Sequence, residues 1–154
     1  MADGPSAIIG YGLTGRSLSR WLTLENEPFK IFDSDPALSI KNSHKEMIEE
    51  LHFTTGWSAE NWEEALDGVD RLYLSPGVSL HSLAVRIARD QKIPILSDLD
   101  LFNEKVRKKP VIGVTGTNGK STVVALIGHL LETQGISVAI GGNYGKPALD
   151  LLDE

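Results

Sequence analysis

Residues 111–122 are the most informative stretch of the chain, and they are Val111-Ile112-Gly113-Val114-Thr115-Gly116-Thr117-Asn118-Gly119-Lys120-Ser121-Thr122. Its β-branched start is typical of a buried strand, and an apolar-periodic helix over residues 120–133 follows the glycine-rich turn. A strand that runs through a glycine turn into a helix is the usual arrangement of a phosphate-binding loop. The sequence therefore predicts a phosphate cradle at this turn.

Individual residues of the loop suit the chemistry of a nucleoside triphosphate. Gly116 and Gly119 leave room for inward-pointing N–H groups, and Lys120 adds positive charge for the β- and γ-phosphates. The Ser121 hydroxyl suits Mg²⁺. The strict P-loop spacing requires glycine at position 114, which is valine here. A solvated turn before a helix is the alternative interpretation.

Length and composition restrict the class of protein. A chain of 154 residues can hold one domain and part of another. It has no cysteine, which excludes disulfides and thiol catalysis, and its net charge of −6 disfavours nucleic acid or an anionic membrane as a partner. With no apparent signal peptide or membrane-length apolar run, we expect a cytoplasmic protein.

A second glycine motif lies near the N-terminus. The run Gly10-Tyr11-Gly12-Leu13-Thr14-Gly15 is a complete G-x-G-x-x-G between a predicted strand and a helix with an apolar stripe. Asp33 follows the next predicted strand, 18 residues after Gly15. This is the Rossmann layout, in which a diphosphate lies at the helix N-terminus. The motif by itself fits a dinucleotide and a nucleotide sugar equally well.

Strand and helix signals alternate along the first hundred residues. Strands are predicted over residues 6–10, 29–32, 52–55, 71–74 and 93–96. Helices are predicted after Gly15, after a Ser43/Glu46 capping box, between Trp57 and Gly68, and over residues 81–89. Alternation of this kind predicts an α/β fold with a parallel, doubly wound sheet. Ser75-Pro76-Gly77 follows the fourth strand, at the edge where ligands bind such sheets.

We place a domain boundary near residue 97. Residues 1–97 would form a Rossmann-like domain, and residues 98–154 a linking helix and the incomplete first part of a P-loop α/β domain. The second part would contain a strand over residues 137–140 and a last helix with Pro147 as its first residue. These two strands and two helices are too few to cover both faces of a parallel sheet, so we expect them to be part of a longer protein. We also expect the 154 residues to self-associate through the exposed edge of this incomplete sheet.

The two glycine loops in this order resemble the N-terminal part of the Mur ligases of bacterial peptidoglycan synthesis. The resemblance spans residues 6–153, and four further stretches carry it beside Gly10–Gly15: Thr115–Thr122, Ser75–Val78, Ser97–Phe102 and Gly141–Leu149.

The resemblance implies a role for each matching residue. The first domain would hold the uridine diphosphate of a substrate rather than NAD, through Leu13, Thr14, Asp33, Ser34, Ser75, Pro76, Gly77 and Asn143. ATP would be bound by Thr115, Gly116, Thr117, Asn118, Gly119, Lys120, Ser121 and Thr122. Lys120 would be catalytic at the transferring phosphoryl group, and Ser121 would be a ligand of Mg²⁺.

The implied activity is ATP-dependent amide-bond formation in cell-wall synthesis, which supports cell shape and division. The likeness is to the branch that adds D-glutamate to UDP-N-acetylmuramoyl-L-alanine through an acyl phosphate. The cofactors would be ATP and Mg²⁺, the whole protein would be a cytoplasmic monomer, and neither nucleic acid nor membrane would be a partner. The 154 residues alone are expected to bind the UDP substrate weakly and not to turn over.

Two other classes remain open from the residues. An NAD-dependent oxidoreductase would use the Gly10–Gly15 motif and Asp33 but leaves the second loop unexplained. A non-catalytic P-loop nucleotide-binding module would use the second loop and leaves the first unexplained.

Overall fold

The computed structural model describes residues 4–35, 53–55, 62–106, 109–143 and 145–152. The chain divides into two compact units, residues 1–98 and residues 99–154. The predicted helix with Ser43 and Glu46, and Trp57, lie outside the described residues.

The first unit contains a parallel five-stranded sheet, so the predicted α/β fold is confirmed. The strands are β1 Ser6–Ile9, β2 Phe29–Asp33, β3 Phe53–Thr55, β4 Arg71–Leu74 and β5 Ile95–Leu96. Their order is β3-β2-β1-β4-β5, with β1 in the centre. Ile8 of β1 lies opposite Ile31 of β2 and Tyr73 of β4. The chain therefore builds the sheet to one side of β1 and then crosses over to build the other side.

Helices occupy the segments between the strands. They are α1 Leu13–Leu24, α2 Trp62–Ala65, α3 Leu83–Asp90, α4 Asp98–Lys105 and α5 Lys120–Thr133. The predicted apolar stripe of α1, formed by Leu18, Trp21 and Leu22, is buried. None of the helices in the described part of the chain is long and apolar enough to cross a membrane.

Both faces of the central strand are covered. Ala7 and Ile9 belong to a core cluster that includes Trp62 of α2 and Val85 of α3. On the opposite face, Ile8 is buried beside α1, where a Cβ atom on residue 15 would lie 3.5 Å from its Cγ2. A strand that is buried on both faces reads as a continuous apolar run, which explains the sequence of β1.

The second unit lacks the two strands that were predicted for it. Among its described residues, 111–116 and 136–140 form no strand, and Val111 and Ile112 are 56% and 60% exposed. A strand exists only through hydrogen bonds to a neighbouring strand, and apolar β-branched composition cannot supply that neighbour. The predictions for residues 111–114 and 137–140 are therefore wrong for this structure.

The end of the described chain also differs from the prediction. Pro147 is the N-cap of a short 3₁₀ helix, Ala148–Leu151, rather than the first residue of an α-helix. Pro147 has ψ 148°, which is extended backbone and not helical. Ala148 and Leu149 are buried, so this turn is fixed by packing.

Candidate nucleotide-binding cleft

The cleft of the first unit lies at the carboxyl ends of the central strands. β1 has β2 on one side and β4 on the other, and the chain leaves these strands toward different helices. Such a reversal of strand order opens a crevice at the carboxyl edge of an α/β sheet. A cleft of about 530 Å³ occupies this position. Its size is within the range of roughly 300–1,000 Å³ that is typical of small-molecule sites.

Twelve of the described residues line the cleft, and they come from three segments: the junction of β1 and α1, the end of β2, and the connection from β4 to α3. They are Gly10, Gly12, Leu13, Thr14, Asp33, Ser34, Ser75, Pro76, Gly77, Val78, Ser79 and Ser82. Among the residues that the structure describes, the lining contains one carboxylate and no lysine or arginine. An anionic ligand here would therefore be held by main-chain N–H groups and hydroxyls.

The three glycines of the first motif have different structural tasks. Gly10 has φ +90°, and a Cβ atom there would lie 2.9 Å from the side chains of Ser75 and Val78. A Cβ atom on Gly15 would lie 2.1 Å from the Gly10 carbonyl oxygen. At Gly12 a Cβ atom would meet nothing within 4 Å. The fold thus requires glycine at positions 10 and 15, whereas position 12 is open toward the cleft.

The N-terminus of α1 points its main chain at the cleft. Gly12 is the N-cap and provides no side chain to cap the helix, and the first turn contains no acidic residue. Gly12 O accepts the first helical bond, from Arg16 N at 3.0 Å. The N–H groups of Leu13 and Thr14 have no acceptor inside the helix, because no turn precedes them. They form a site of positive potential for an anion.

Side chains from both neighbouring strands hold the glycine loop. The Asp33 carboxylate at the end of β2 accepts hydrogen bonds from Tyr11 N at 2.6 Å and Asp35 N at 2.9 Å. The Ser75 hydroxyl, directly after β4, donates to the Gly10 carbonyl oxygen at 2.7 Å. The single peptide group between Gly10 and Tyr11 is therefore fixed at its carbonyl by Ser75 and at its N–H by Asp33, from opposite sides of β1.

The structure brings most of the predicted substrate residues together. Seven of them line the cleft: Leu13, Thr14, Asp33, Ser34, Ser75, Pro76 and Gly77. Leu13 is 80% exposed, so its side chain is accessible to a ligand in the cleft. Asn143, the eighth, belongs to the second unit.

Sequence reasoning did not identify Val78, Ser79 and Ser82 as lining residues. Only their position in the sequence could have indicated them, because they connect the end of β4 to α3, and Ser82 is the N-cap of that helix. The Ser82 Oγ atom is buried with no hydrogen-bond partner among the described residues. The sequence indicated the glycines of the first motif but not their separate structural roles.

The predicted phosphate loop of the second unit has an open glycine turn. Gly116 and Gly119 have φ +150° and +76°, and Gly119 is the N-cap of α5. Lys120 Nζ donates to the Gly116 carbonyl oxygen and lies 3.4 Å from the Thr117 carbonyl oxygen. The lysine side chain therefore curls over the loop that precedes it.

The loop fits a phosphate better than it fits an isolated metal ion. A Cβ atom on Gly119 would meet nothing within 4 Å, so the main chain is accessible there. Nowhere in the described ranges do three or more His, Cys, Asp or Glu residues cluster as metal ligands. Ser121, in the first turn of α5, would supply one hydroxyl oxygen, and Mg²⁺ commonly takes its other ligands from phosphates and water.

A parallel sheet with a glycine loop at its switch point defines an α/β protein of the Rossmann-like class. Residues 5–97 match the family model described as Mur ligase MurD-like, N-terminal domain. The chain belongs to this family.

Curated relatives agree with the family model. The chain is 38% identical over 153 residues to the UDP-N-acetylmuramoylalanine–D-glutamate ligase of Saccharophagus degradans, covering 97% of this chain and 33% of the relative. It is 39% identical over 142 residues to the ligase of the same name from Rickettsia prowazekii, covering 92% and 30%. The chain spans about a third of the length of these relatives.

Solved structures support the fold. A ligase from Neisseria meningitides that joins UDP-N-acetylmuramate to L-alanyl-gamma-D-glutamyl-meso-diaminopimelate has a TM-score of 0.55 at 20% identity, over 94% of this chain and 45% of that one. A murein peptide ligase from Psychrobacter arcticus has a TM-score of 0.53 at 16% identity, over 91% and 30%.

Proposed function

We propose that this chain is the front part of a ligase that adds D-glutamate to UDP-N-acetylmuramoyl-L-alanine, and that its first unit binds the UDP part of that substrate. The observation that carries the proposal is the cleft at the sheet edge, which contains seven of the residues expected to contact the substrate. Family membership and the names of the curated relatives support it. Both also favour a uridine nucleotide over the dinucleotide of an oxidoreductase.

The chemistry of the cleft suits a nucleoside diphosphate. Its diphosphate would lie at the α1 N-terminus and would accept hydrogen bonds from the N–H groups of Leu13 and Thr14. None of the lining residues that the structure describes carries a positive charge. A base and ribose would lie toward Asp33 and Ser34, whose oxygens can accept from N–H and O–H donors. Gly12 would let the ligand approach the backbone closely.

The second unit would contribute to the ATP site. ATP, when bound, would supply the phosphoryl group that activates the substrate carboxylate as an acyl phosphate for attack by the amine of D-glutamate. Residues 115–122 would surround its phosphates, and the N–H groups at the start of α5 would face them. Lys120 would exchange its contact with the Gly116 carbonyl for a phosphate oxygen, and Ser121 would hold Mg²⁺. Positioning and charge neutralisation would provide the catalysis, with no protein nucleophile.

Calorimetric titration of the 154-residue chain tests the proposal. UDP-N-acetylmuramoyl-L-alanine, NADH and ATP are titrated separately into the wild type and into Thr14→Arg, which places a bulky side chain at the mouth of the cleft. We expect heat with the UDP ligand that Thr14→Arg abolishes, and no heat with NADH. Binding of NADH with micromolar affinity would instead support an oxidoreductase.

Turnover is a separate question from binding. ADP release by this chain in the presence of D-glutamate would show that the remaining two thirds of the relatives' length are not needed for the reaction. We expect none.

A further inference from the structure

Asp33, the last residue of β2, accepts hydrogen bonds from the main chain that recognition of a base does not require. We infer that Asp33 is a positioning residue of the diphosphate subsite, which works with Ser75 to hold the glycine loop in its binding shape before a ligand arrives. This inference rests on the proposed function for the identity of the ligand. It concerns the hydrogen bonds that Asp33 makes inside the protein.

The Asp33 carboxylate is engaged by main-chain groups at both oxygens. Oδ2 accepts from Tyr11 N at 2.6 Å, and Oδ1 accepts from Asp35 N at 2.9 Å. Hydrogen bonds to an ionised acceptor are shorter and roughly twice as strong as neutral ones. The first contact joins two residues 22 positions apart and ties the glycine loop to the end of the neighbouring strand.

Ser75 completes the restraint from the other side. The residue is 7% exposed, and its hydroxyl donates to the Gly10 carbonyl oxygen at 2.7 Å. Its own N–H donates to Ile9 O at 3.0 Å, so the serine is fixed to the end of β1. Because the hydroxyl proton is used by Gly10, Ser75 can offer a ligand only an acceptor.

The hydrogen bonds from Tyr11 N to Asp33 and from Ser75 to Gly10 O both hold the loop that would bind the phosphates. Gly10 and Tyr11 immediately precede Gly12, the N-cap of α1. A tilt of the peptide group between Gly10 and Tyr11 would change the direction of the N–H groups that follow. A preorganised loop binds an anion without the cost of ordering itself.

The positioning role and a base-reading role predict different patterns of affinity. If Asp33 positions the loop, Asp33→Ala weakens UDP by more than it weakens uridine, which has no phosphate. The ratio of UDP affinity to uridine affinity then falls by about tenfold, the size expected for one lost charge-assisted hydrogen bond. If Asp33 only reads the base, both ligands weaken together and the ratio stays constant.

The experiment measures UDP and uridine affinities of the 154-residue chain by calorimetry and ligand-observed NMR. Asp33→Asn keeps one acceptor oxygen and should lower the ratio less than Asp33→Ala. Ser75→Ala should lower it by about threefold, as for a neutral hydrogen bond. Asp70→Ala is the matched control, because Asp70 also accepts from a main-chain N–H, that of Gly4, at the opposite edge of the sheet. An unchanged ratio in Asp33→Ala overturns the inference.

Amide hydrogen exchange makes the inference independent of the ligand. In the ligand-free chain the Tyr11 N–H should exchange slowly, and Asp33→Ala should remove this protection while the amide of Ile8 stays protected. Failure of UDP to bind the wild type would count against the proposed function alone, and the exchange pattern would still decide the role of Asp33. A Tyr11 amide that exchanges rapidly in the wild type overturns the inference.

Discussion

A Cβ atom on Gly15 would lie 2.1 Å from the carbonyl oxygen of Gly10, so the first turn of α1 rests directly on the glycine loop. The obstacle is main chain, which a side-chain rotation cannot remove. Gly15→Ala should therefore lower the free energy of unfolding of the first unit by about 1–3 kcal/mol, the usual cost of overpacking. Urea unfolding followed by circular dichroism measures this change. A loss smaller than about 0.5 kcal/mol would contradict the close approach.

Gly12→Ala should have little effect on the free energy of unfolding and a large effect on UDP affinity. A Cβ atom there would meet no protein atom within 4 Å, and the backbone has φ −74°, which alanine adopts readily. Stability should change by about 1 kcal/mol or less, the cost of alanine at an N-cap. UDP affinity should nevertheless fall by about tenfold, because the new methyl group blocks the approach of a diphosphate to the loop. Calorimetry on both variants provides the comparison, and full UDP binding by Gly12→Ala would place the diphosphate elsewhere.

Local spacing was enough to predict the first unit. The distance from Gly15 to Asp33 and the apolar strands on either side specify a β-α-β unit, and each strand of that unit finds its partner within the chain. The lining residues Leu13 and Thr14 follow from the motif itself. The β-α-β unit and the glycine motif could be predicted because they depend on residues close in sequence and on strands whose apolar composition indicates burial.

Other features depend on partners that sequence does not reveal. Residues 111–114 have strand composition but form no strand, because pairing is a property of two segments. The bond between Tyr11 N and Asp33 joins loop and strand across 22 positions and has no sequence signature. The helix was predicted over residues 81–89, which put Ser82 inside it, whereas the helix begins at Leu83 and Ser82 is its N-cap.

Two leucines of α1 test the packing of the first unit. Leu22 is 0% exposed and Leu24, two positions later, is 63% exposed. Leu22→Ala should lower the free energy of unfolding by about 2–5 kcal/mol, through lost burial and the cavity left behind. Leu24→Ala, the matched control on the same helix, should change it by less than about 0.5 kcal/mol. Equal effects at the two positions would mean that α1 packs on a different face.

Self-association of the 154-residue chain was expected through the edge of an incomplete sheet in the second unit, but residues 111–114 and 137–140 form no strand that could provide this edge. Exposed apolar side chains of the same unit provide another route to association. Leu126 and Leu130 lie one turn apart on α5 and are 57% and 56% exposed, and Val111 and Ile112 are exposed apolar residues of the same unit. Exposed apolar surface of this kind promotes association in water. We expect the mass from light scattering to rise with protein concentration, and the double substitution Leu126→Lys with Leu130→Lys to return the chain to a monomer. Leu24→Lys in the first unit is the control for added charge and should leave association unchanged. A monomeric mass for the wild type at high concentration would contradict the expectation.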